Sequence, residues 1–412
     1  MLKDKKKDFI FNTIGSIIYA LNSVILLMLV VQIVGAEKGG VFSIAFTISQ
    51  TLAVIGHFEM RVFQVTDTGK YTFQDFFLSR VITSAIMILG AVIWIIINSY
   101  SKEKALIIFL LCCYRLSDSF GDVIEGYYQH EDKLYLSGIF LSLRTAIPTI
   151  IFIVSLLAYN NLVLSCLLLF VSAIITLFVF DFYMIMYKDK VDILGGSIIE
   201  TATIIKSCFP LFISSFLSVY ITNAPKYAID KFLNEEMQTY YSIIFMPSFA
   251  INLFSGFIFK PFLLNIVDMW ESRDVKRINR IIMKMIGIIC LITIVSILAG
   301  SVIGIPLLQV IYGVSEISKY KIEFLIILLG GGINAINTFF HYILTVMRKQ
   351  NTILITYLVV AIETIILSNQ FVKCFQLMGG TMIYIMSVVS VGFLLLIITK
   401  YEISKIDTSK SY

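Results

Sequence analysis

The stretch ALIIFLLCCYRLSDSFGDVIEGYY, residues 105–128, is long enough to cross a membrane, yet it carries four ionisable side chains. Arg115, Asp118, Asp122 and Glu125 are separated by three, four and three residues, so a helix places them on one stripe. Ionisable groups at bilayer depth cost several kcal/mol and normally face the interior of a helix bundle or a water-filled cavity. The stretch therefore predicts a membrane protein that encloses a polar path.

Comparable apolar stretches fill most of the 412-residue chain, which is 58% hydrophobic and has a mean hydropathy of +0.91. A spanning helix needs about 20 apolar residues. The predicted spans are 9–34, 40–60, 81–100, 105–128, 134–157, 161–184, 207–230, 240–265, 281–304, 322–347, 352–372 and 377–399. The predicted fold class is an all-α polytopic membrane protein with twelve transmembrane helices.

The basic residues indicate how these spans are oriented. With the N-terminus in the cytoplasm, 21 lysines and arginines fall in cytoplasmic segments and seven in external segments. Because an excess of lysine and arginine marks the cytoplasmic side, this bias sets the topology. We expect a multi-pass protein surrounded by membrane lipids, with both termini in the cytoplasm.

The chain divides into two halves of six predicted spans each. Residues 1–184 form the first lobe, 185–206 a cytoplasmic connector, 207–400 the second lobe and 401–412 a cytoplasmic tail. Repeats of six spans have the same orientation, so we expect a pseudo-two-fold axis along the membrane normal and a cavity between the lobes. Within the connector region, the stretch IIETATIIK fits either a short surface helix or a plain linker.

A short match links the two halves. Residues 35–46, GAEKGGVFSIAF, follow the first span, and residues 234–245, NEEMQTYYSIIF, follow the seventh. The alignment pairs Glu37 with Glu236, Ser43 with Ser242, Ile44 with Ile243, Phe46 with Phe245 and, as related residues, Phe42 with Tyr241. Because the match falls at the same place in each half, it supports an internal repeat.

Two interpretations fit the charged stripe of the fourth span. In the first, Arg115, Asp118, Asp122 and Glu125 all line the wall of a wet cavity. In the second, the charges form a buried salt-bridge network that locks helices together, with Arg115 paired to Asp118 or Asp122. Arg144, deep in the fifth span, is likewise either a substrate cation or a partner for the fourth-span acids.

Basic residues in the second half present the same choice. Asn223, Lys226 and Asp230 share a face of the seventh span, where Pro225 is expected to prevent a regular helix. Lys226 is either a cationic cavity residue or the partner of Asp230 in an i,i+4 pair. Lys260, near the inner end of the eighth span, is either a substrate-binding cation or an interfacial lysine that extends to the membrane surface.

Further ionisable residues lie elsewhere in the spans. His341 and Glu363 are deep, and each is either an ion-coupling group or a satisfied polar residue of the core. Glu59, Arg61 and Asp181 lie near inner ends of spans, where the expected role is interfacial anchoring. Na⁺ or H⁺ is a candidate coupling ion, and no other cofactor or metal is expected.

The region after the first span resembles a known bacterial family. Gly35, Gly40, Phe42 and Ser43 fit the G-x-x-x-x-G-x-F-S-like stretch that Wzx-type polysaccharide flippases usually show between their first two spans. This family belongs to the superfamily that includes MATE drug exporters and the lipid II flippase. The resemblance implies an alternating-access flippase of the bacterial cytoplasmic membrane, which moves undecaprenyl-diphosphate-linked oligosaccharides outward for surface polysaccharides such as O-antigen or capsule.

The resemblance also implies roles for individual residues. By position, Arg115, Arg144, Lys226 and Lys260 would be the cations that meet the diphosphate and acidic sugars. The fourth-span stripe departs from a purely cationic cavity because its acids outnumber Arg115, so some of these acids would serve coupling or pairing. A polysaccharide polymerase or assembly protein is an implied partner.

The alternative function is a cation-coupled multidrug exporter of MATE type, which has the same fold. Several arginines and lysines in a large cavity favour the flippase, whereas a smaller, acid-dominated pocket favours the exporter. We expect no enzymatic activity, because the chain has no P-loop, nucleophile elbow or metal motif and its short external segments lack histidine. No nucleic-acid partner is expected.

Overall fold

The computed structural model describes residues 2–259, 266, 269–270 and 272–408. All regular secondary structure in these residues is helical, which confirms the predicted all-α class. Eight of the described helices are long and apolar enough to cross a membrane. They cover Lys7–Val65, Phe73–Asn98, Leu134–Tyr159, Leu162–Lys188, Ile198–Phe232, Val275–Tyr312, Glu316–Val346 and Gln350–Lys405.

The helices follow one another with short connections. The first half forms α1 (Leu2–His57), α2 (Met60–Val65), α3 (Phe73–Asn98), α4 (Lys102–His130), α5 (Leu134–Tyr159) and α6 (Leu162–Thr176). The second half forms α7 (Ile198–Phe232), α8 (Glu235–Phe259), α9 (Val275–Ala299), α10 (Ile305–Tyr312), α11 (Lys321–Val346) and α12 (Gln350–Thr408). Segments of π-helix at Leu177–Phe182, Met184–Lys188 and Gly300–Gly304 extend α6 and join α9 to α10, and a 3₁₀ turn at Glu316–Tyr320 precedes α11.

Two of the helices are broken at one residue each. Gly35 interrupts α1 with φ 90° and ψ 170°, and Gln376 interrupts α12 with φ 51° and ψ −130°. Each break falls where the sequence predicts a boundary between two spans. The left-handed φ at Gly35 suits glycine, which has no Cβ to clash there.

The count of twelve spans stays a prediction. The two broken helices each contain two of the predicted spans, and α4 and α8, with 29 and 25 residues, are not among the eight candidates. For α4 the reason is the charged stripe itself, which lowers the apolar content of any membrane-length window.

Residue contacts divide the chain into two compact units, which we call unit 1 (Met1–Phe216) and unit 2 (Leu217–Tyr412). The division falls inside α7, so the connector and the first half of α7 lie in unit 1. Each unit has an apolar core. In unit 1 the core includes Phe58, Val123, Tyr128, Phe140, Leu177 and Phe212, and in unit 2 it includes Ile278, Met285, Phe339, Leu344, Tyr357 and Val391.

Two hydrogen bonds hold the connector against helices α3 and α4 of unit 1. The backbone N–H of Ser197 donates to Asp75 Oδ1 at 2.7 Å, and the hydroxyl of Tyr128 donates to Asp189 Oδ2 at 2.8 Å. The stretch IIETATIIK forms the first turns of α7, so it is neither the separate surface helix nor the plain linker that the sequence allows.

The expectation of an irregular backbone at Pro225 is wrong, because α7 is continuous from Ile198 to Phe232.

Candidate functional site

At the N-terminal end of the α4 stripe, Arg115 and Asp118 form an ion pair within one helix. Arg115 Nη1 lies 2.8 Å from Asp118 Oδ2, and the hydroxyl of Tyr19 in α1 lies 3.4 Å from both groups. The guanidinium of Arg115 also lies over the ring of Phe46, 4.6 Å from its centroid. Both charged side chains are almost fully buried, and their contacts with Tyr19 and Phe46 join α4 to both halves of α1.

The C-terminal part of the stripe, Asp122 and Glu125, connects α4 to several other helices. Asp122 Oδ2 accepts from Arg80 Nη2 of α3 at 2.7 Å, and its Oδ1 lies 3.4 Å from Arg61 Nη1 of α2. The same Arg61 nitrogen donates to Glu125 Oε2 at 2.6 Å. The other oxygen of Glu125 pairs with Arg144 of α5.

Arg144 is held from two sides. Its Nη2 pairs with Glu125, and its Nη1 lies 2.5 Å from Asp181 Oδ1. The side chains of Arg144 and Asp181 are 2% and 0% exposed. Asp181 lies in the π-helical turn that extends α6, a feature that re-aims side chains and often occurs at functional sites. The guanidinium fits because Gly121 faces it, and a Cβ at that position would overlap it.

We call this ladder, Arg80–Asp122–Arg61–Glu125–Arg144–Asp181, the ion-pair chain. It contains three cations and three anions, so its formal charges cancel. Buried pairs of this kind are costly to break, because removal of one partner leaves an uncompensated charge. For these residues the geometry favours the second interpretation of the sequence, a network that locks helices together.

For three residues of the ion-pair chain, the sequence predicts a different location. The sequence places Arg61 and Asp181 at membrane interfaces and counts Arg80 among the cytoplasmic basic residues, whereas Arg80 and Asp181 are completely buried. One signal was available for Arg80: it follows Ser79 and precedes Thr83 and Ser84, a polar face within an apolar helix.

A cleft opens beside the ion-pair chain. Its volume is about 510 Å³, and its lining comprises His57, Glu59, Arg61, Val62, Val65, Thr66, Asp122 and Gln129. Of the predicted cavity residues in unit 1, Asp122 reaches this space with a side chain that is 15% exposed. Arg115, Asp118, Glu125 and Arg144 do not line it.

Unit 2 contains a buried cation of a different kind. Lys226 is 6% exposed, and its ammonium lies 4.7 Å from the ring centroid of Phe245 and 5.5 Å from that of Phe249. Within the described part of the chain, Lys226 forms no ion pair, so the predicted pairing with Asp230 is not found. Its only close favourable contacts there are the faces of two aromatic rings on α8.

The remaining predicted residues of unit 2 are dispersed. Asn223 is buried one turn before Lys226, and Asp230 is partly exposed one turn after it. His341 Nδ1 lies 3.3 Å from the hydroxyl of Tyr357, and Glu363 accepts a hydrogen bond from Ser390 at 3.2 Å. Lys260 lies outside the described residues.

Comparison with known proteins shows which folds and sequences this chain resembles. No protein-family model matches the chain. An inward-facing multidrug MATE transporter of the MOP superfamily aligns with a TM-score of 0.75 and 12% identity, covering 94% of this chain and 96% of that one. The lipid II flippase MurJ in an inward closed conformation aligns with a TM-score of 0.71 and 16% identity, covering 98% of this chain and 90% of that one.

The chain thus shares its fold with a MATE transporter and with the lipid II flippase MurJ, as the resemblance in its sequence predicts. Among proteins of known role, the capsular polysaccharide biosynthesis protein CapF of Staphylococcus aureus is 21% identical over 308 residues, which are 74% of this chain and 77% of that protein.

Proposed function

We propose that the protein is a flippase that moves undecaprenyl-diphosphate-linked oligosaccharides across the bacterial cytoplasmic membrane by alternating access, for the assembly of a surface polysaccharide. Its fold is shared with a lipid II flippase, and a relative of similar extent carries a name that refers to capsular polysaccharide biosynthesis. Both similarities support a lipid-linked glycan as the cargo. A polysaccharide polymerase would use the product on the outer face.

One observation carries the proposal: each unit stacks a buried cation on an equivalent aromatic ring. Arg115 lies over Phe46 in unit 1, and Lys226 lies over Phe245 in unit 2. A cation over a ring face is stabilised by the ring's quadrupole and needs no neighbouring carboxylate for that. Such a cation keeps hydrogen-bond donors for an anionic ligand, and a diphosphate is the anion that a lipid-linked glycan supplies.

Lys226 is the stronger of the two candidates. A buried charge without a counter-ion lowers the stability of the fold, and burial alone would favour its replacement by an apolar residue. No structural pairing within the described residues accounts for it. We therefore assign Lys226 as the principal contact for the anionic part of the substrate.

Arg115 retains part of its binding capacity. Its Nη1 is used by Asp118 and Tyr19, whereas Nε and Nη2 have no hydrogen-bond partner among the described residues. Guanidinium groups bind phosphate oxygens through two adjacent donors, and Nε with Nη2 forms such an edge. We propose Arg115 as a second substrate contact and Arg144, whose two Nη groups are both occupied, as a residue that positions α4 against α5.

Two residues of unit 2 are proposed for ion coupling. Glu363 of α12 is a partly buried carboxylate with one hydrogen bond, from Ser390, and His341 of α11 lies beside Tyr357. Exchange of Na⁺ or H⁺ at Glu363 would alter the charge within unit 2 and thereby bias the alternation between conformations.

A cation-coupled multidrug exporter is the alternative function. The similarity to a multidrug MATE transporter, with a TM-score of 0.75, favours it, as do the three carboxylates of the α4 stripe. These carboxylates, however, are all paired with arginines, which leaves them little net charge to attract a cationic drug.

Purified protein in proteoliposomes distinguishes the two functions. One set of vesicles contains a fluorescent undecaprenyl-diphosphate-linked oligosaccharide, and a membrane-impermeant quencher reports the leaflet that it occupies. A second set contains a fluorescent organic cation with an imposed Na⁺ or H⁺ gradient. We expect the glycan lipid to change leaflets and the organic cation to stay; efflux of the cation with a stationary glycan lipid would establish the exporter.

A further inference from the structure

The cleft in unit 1 lies where the chain leaves α1 and enters α2. Phe58 and Glu59, which join the two helices, both have left-handed backbones, with φ of 50° and 53°. Non-glycine residues in this conformation are uncommon, and strain of this kind is concentrated at functional sites. The turn directs His57, Glu59 and Arg61 into the same space.

The cations around the cleft are already paired. Arg61 and Glu59 line it with opposite signs, and the carboxylate of Asp122 is neutralised from behind by Arg80 at 2.7 Å. A diphosphate has no unpaired cation to meet here, because Arg61 is already bound to Asp122 and Glu125. Because the ion-pair chain is neutral and Glu59 adds a carboxylate, the cleft suits a ligand that carries hydroxyl groups and no negative charge.

The hydrogen-bonding groups of the cleft are of both kinds. Arg61 donates through Nε to the amide oxygen of Gln129 at 3.2 Å, which leaves Gln129 Nε2 and Arg61 Nη2 as donors without a partner among the described residues. His57 Nδ1 lies 2.8 Å from the carbonyl oxygen of Ala53 and so donates to it, which leaves Nε2 as the ring nitrogen available to a ligand. The carboxylate of Glu59 is a further acceptor.

Donors and acceptors that line the same cleft match vicinal hydroxyl groups, each of which can both donate and accept hydrogen bonds. Val62 and Val65 add an apolar wall that suits the C–H face of a sugar ring. The volume of about 510 Å³ lies within the range of small-molecule sites, about 300–1,000 Å³.

We propose that this cleft binds an uncharged pyranose of the oligosaccharide, separately from the cations that meet the diphosphate. The inference rests on the proposed function and adds to it a sugar-reading site in unit 1. Gln129 and Arg61 would donate to ring hydroxyls, and His57 and Glu59 would accept from them. This site would then select the cargo by its sugar, and Lys226 would bind its diphosphate.

The test compares two lipids in proteoliposomes: the lipid-linked glycan extracted from the source cells, and undecaprenyl diphosphate without sugar. The variants are Gln129→Leu, which removes a donor, and Val65→Trp, which fills the cleft. Gln350→Leu is the matched control, because Gln350 is exposed at the start of α12. The readout is the ratio of initial flipping rates of the two lipids.

We expect the wild type and Gln350→Leu to move the glycan lipid faster than the bare lipid. Gln129→Leu and Val65→Trp should lower that ratio by about tenfold, because the sugar loses a hydrogen bond in the first variant and its space in the second. Equal loss for both lipids, or an unchanged ratio, would overturn the sugar site. Failure of the wild type to move either lipid would overturn the proposed function instead.

Discussion

Phe46 and Phe245 occupy matching positions in the two halves of the chain, and each ring has a cation on its face at nearly the same distance. The guanidinium of Arg115 is 4.6 Å from the centroid of Phe46, and the ammonium of Lys226 is 4.7 Å from that of Phe245. The preceding aromatic residue repeats as well: Phe42 and Phe46 have centroids 5.8 Å apart at 32°, and Tyr241 and Phe245 have centroids 5.7 Å apart at 31°.

The two cations come from different helices of the halves, Arg115 from α4 and Lys226 from α7. A repeated cation is therefore not a simple copy of one ancestral residue. The aromatic ring is the repeated element, and the cation over it comes from α4 in the first half and from α7 in the second. This pattern favours a function for the stacked cation itself.

Stability provides a first prediction about Lys226. Lys226→Met replaces a buried ammonium that has no ion-pair partner among the described residues by an apolar side chain of similar length. The free energy of unfolding should therefore stay equal or rise, by about 1 kcal/mol or more. Thermal unfolding of the purified protein in detergent measures the change. The control Lys373→Met removes an exposed lysine that also lies over a ring, Phe232, and should leave the melting temperature unchanged. A marked loss of stability in Lys226→Met would show that Lys226 has a structural partner.

The aromatic rings provide a second prediction. Phe245→Leu should lower flipping more than Phe46→Leu. The reason is that Lys226 has no ion-pair partner in the part of the chain that the structure describes, whereas Arg115 is also paired with Asp118. Loss of a cation–π contact is worth about 0.5–2 kcal/mol, so the rate should fall by about twofold to thirtyfold at position 245.

The matching control is Phe375→Leu, an exposed phenylalanine of α12, which should flip substrate at the wild-type rate. Phe46→Tyr keeps a ring face and should restore most of the rate lost in Phe46→Leu. Equal rates in all four variants would exclude a role for the ring faces.

Gly121 provides a third prediction, about the ion-pair chain. In Gly121→Ala the new methyl group overlaps the guanidinium of Arg144, which must leave Glu125 and Asp181. Breaking a buried pair in this way should cost about 3–5 kcal/mol of unfolding free energy. Thermal unfolding in detergent is again the measurement.

The control for Gly121 is Gly287→Ala in α9, where a Cβ meets nothing within 4 Å. Because alanine is the better helix former, this variant should be more stable by about 1 kcal/mol. If the two glycine variants unfold at the same temperature, Gly121 does not provide the space that Arg144 needs.

Asp75 provides a fourth prediction, about the connector. Its Oδ2 accepts from the backbone and hydroxyl of Thr72 at 2.9 and 2.7 Å, and its Oδ1 accepts from the N–H of Ser197. Asp75→Ala removes the cap of α3 and the attachment of the connector together, which should cost about 1–2 kcal/mol. Limited proteolysis between residues 189 and 197 should become faster.

Asp67→Ala is the control for this experiment, since Asp67 accepts backbone hydrogen bonds in an exposed turn and does not contact the connector. Unchanged cleavage in Asp75→Ala would mean that the connector is held by other contacts, such as the one between Tyr128 and Asp189.

The sequence predicts the α4 stripe because helical spacing depends only on residue numbers. The stripe predicts that Arg115, Asp118 and Glu125 are buried. It also limits their role to two interpretations, a cavity wall or a salt-bridge network. The partners do not follow, because Arg80, Arg61 and Asp181 are brought to α4 by helices whose packing the spacing of α4 leaves undetermined.

Other features escaped the sequence for similar reasons. The π-helical turn that carries Asp181 looks like ordinary apolar helix in the sequence LFVFDF. Among the residues that the structure describes, no carboxylate of a neighbouring helix pairs with Lys226, whereas Asp230 at i+4 suggested an ion pair. In contrast, the break at Gly35 was foreseeable, because glycine and flanking polar residues separate two apolar stretches there.

The most direct measurement of the central claim is the initial rate at which a fluorescent undecaprenyl-diphosphate-linked oligosaccharide changes leaflets in proteoliposomes. The account predicts flipping by the wild type, a rate at least about tenfold lower in Lys226→Met because a charge-assisted contact worth about 1.5–3 kcal/mol is lost, and substantial recovery in Lys226→Arg. A rate in Lys226→Met equal to that of the wild type, or a wild-type rate no higher than in protein-free vesicles, would contradict it.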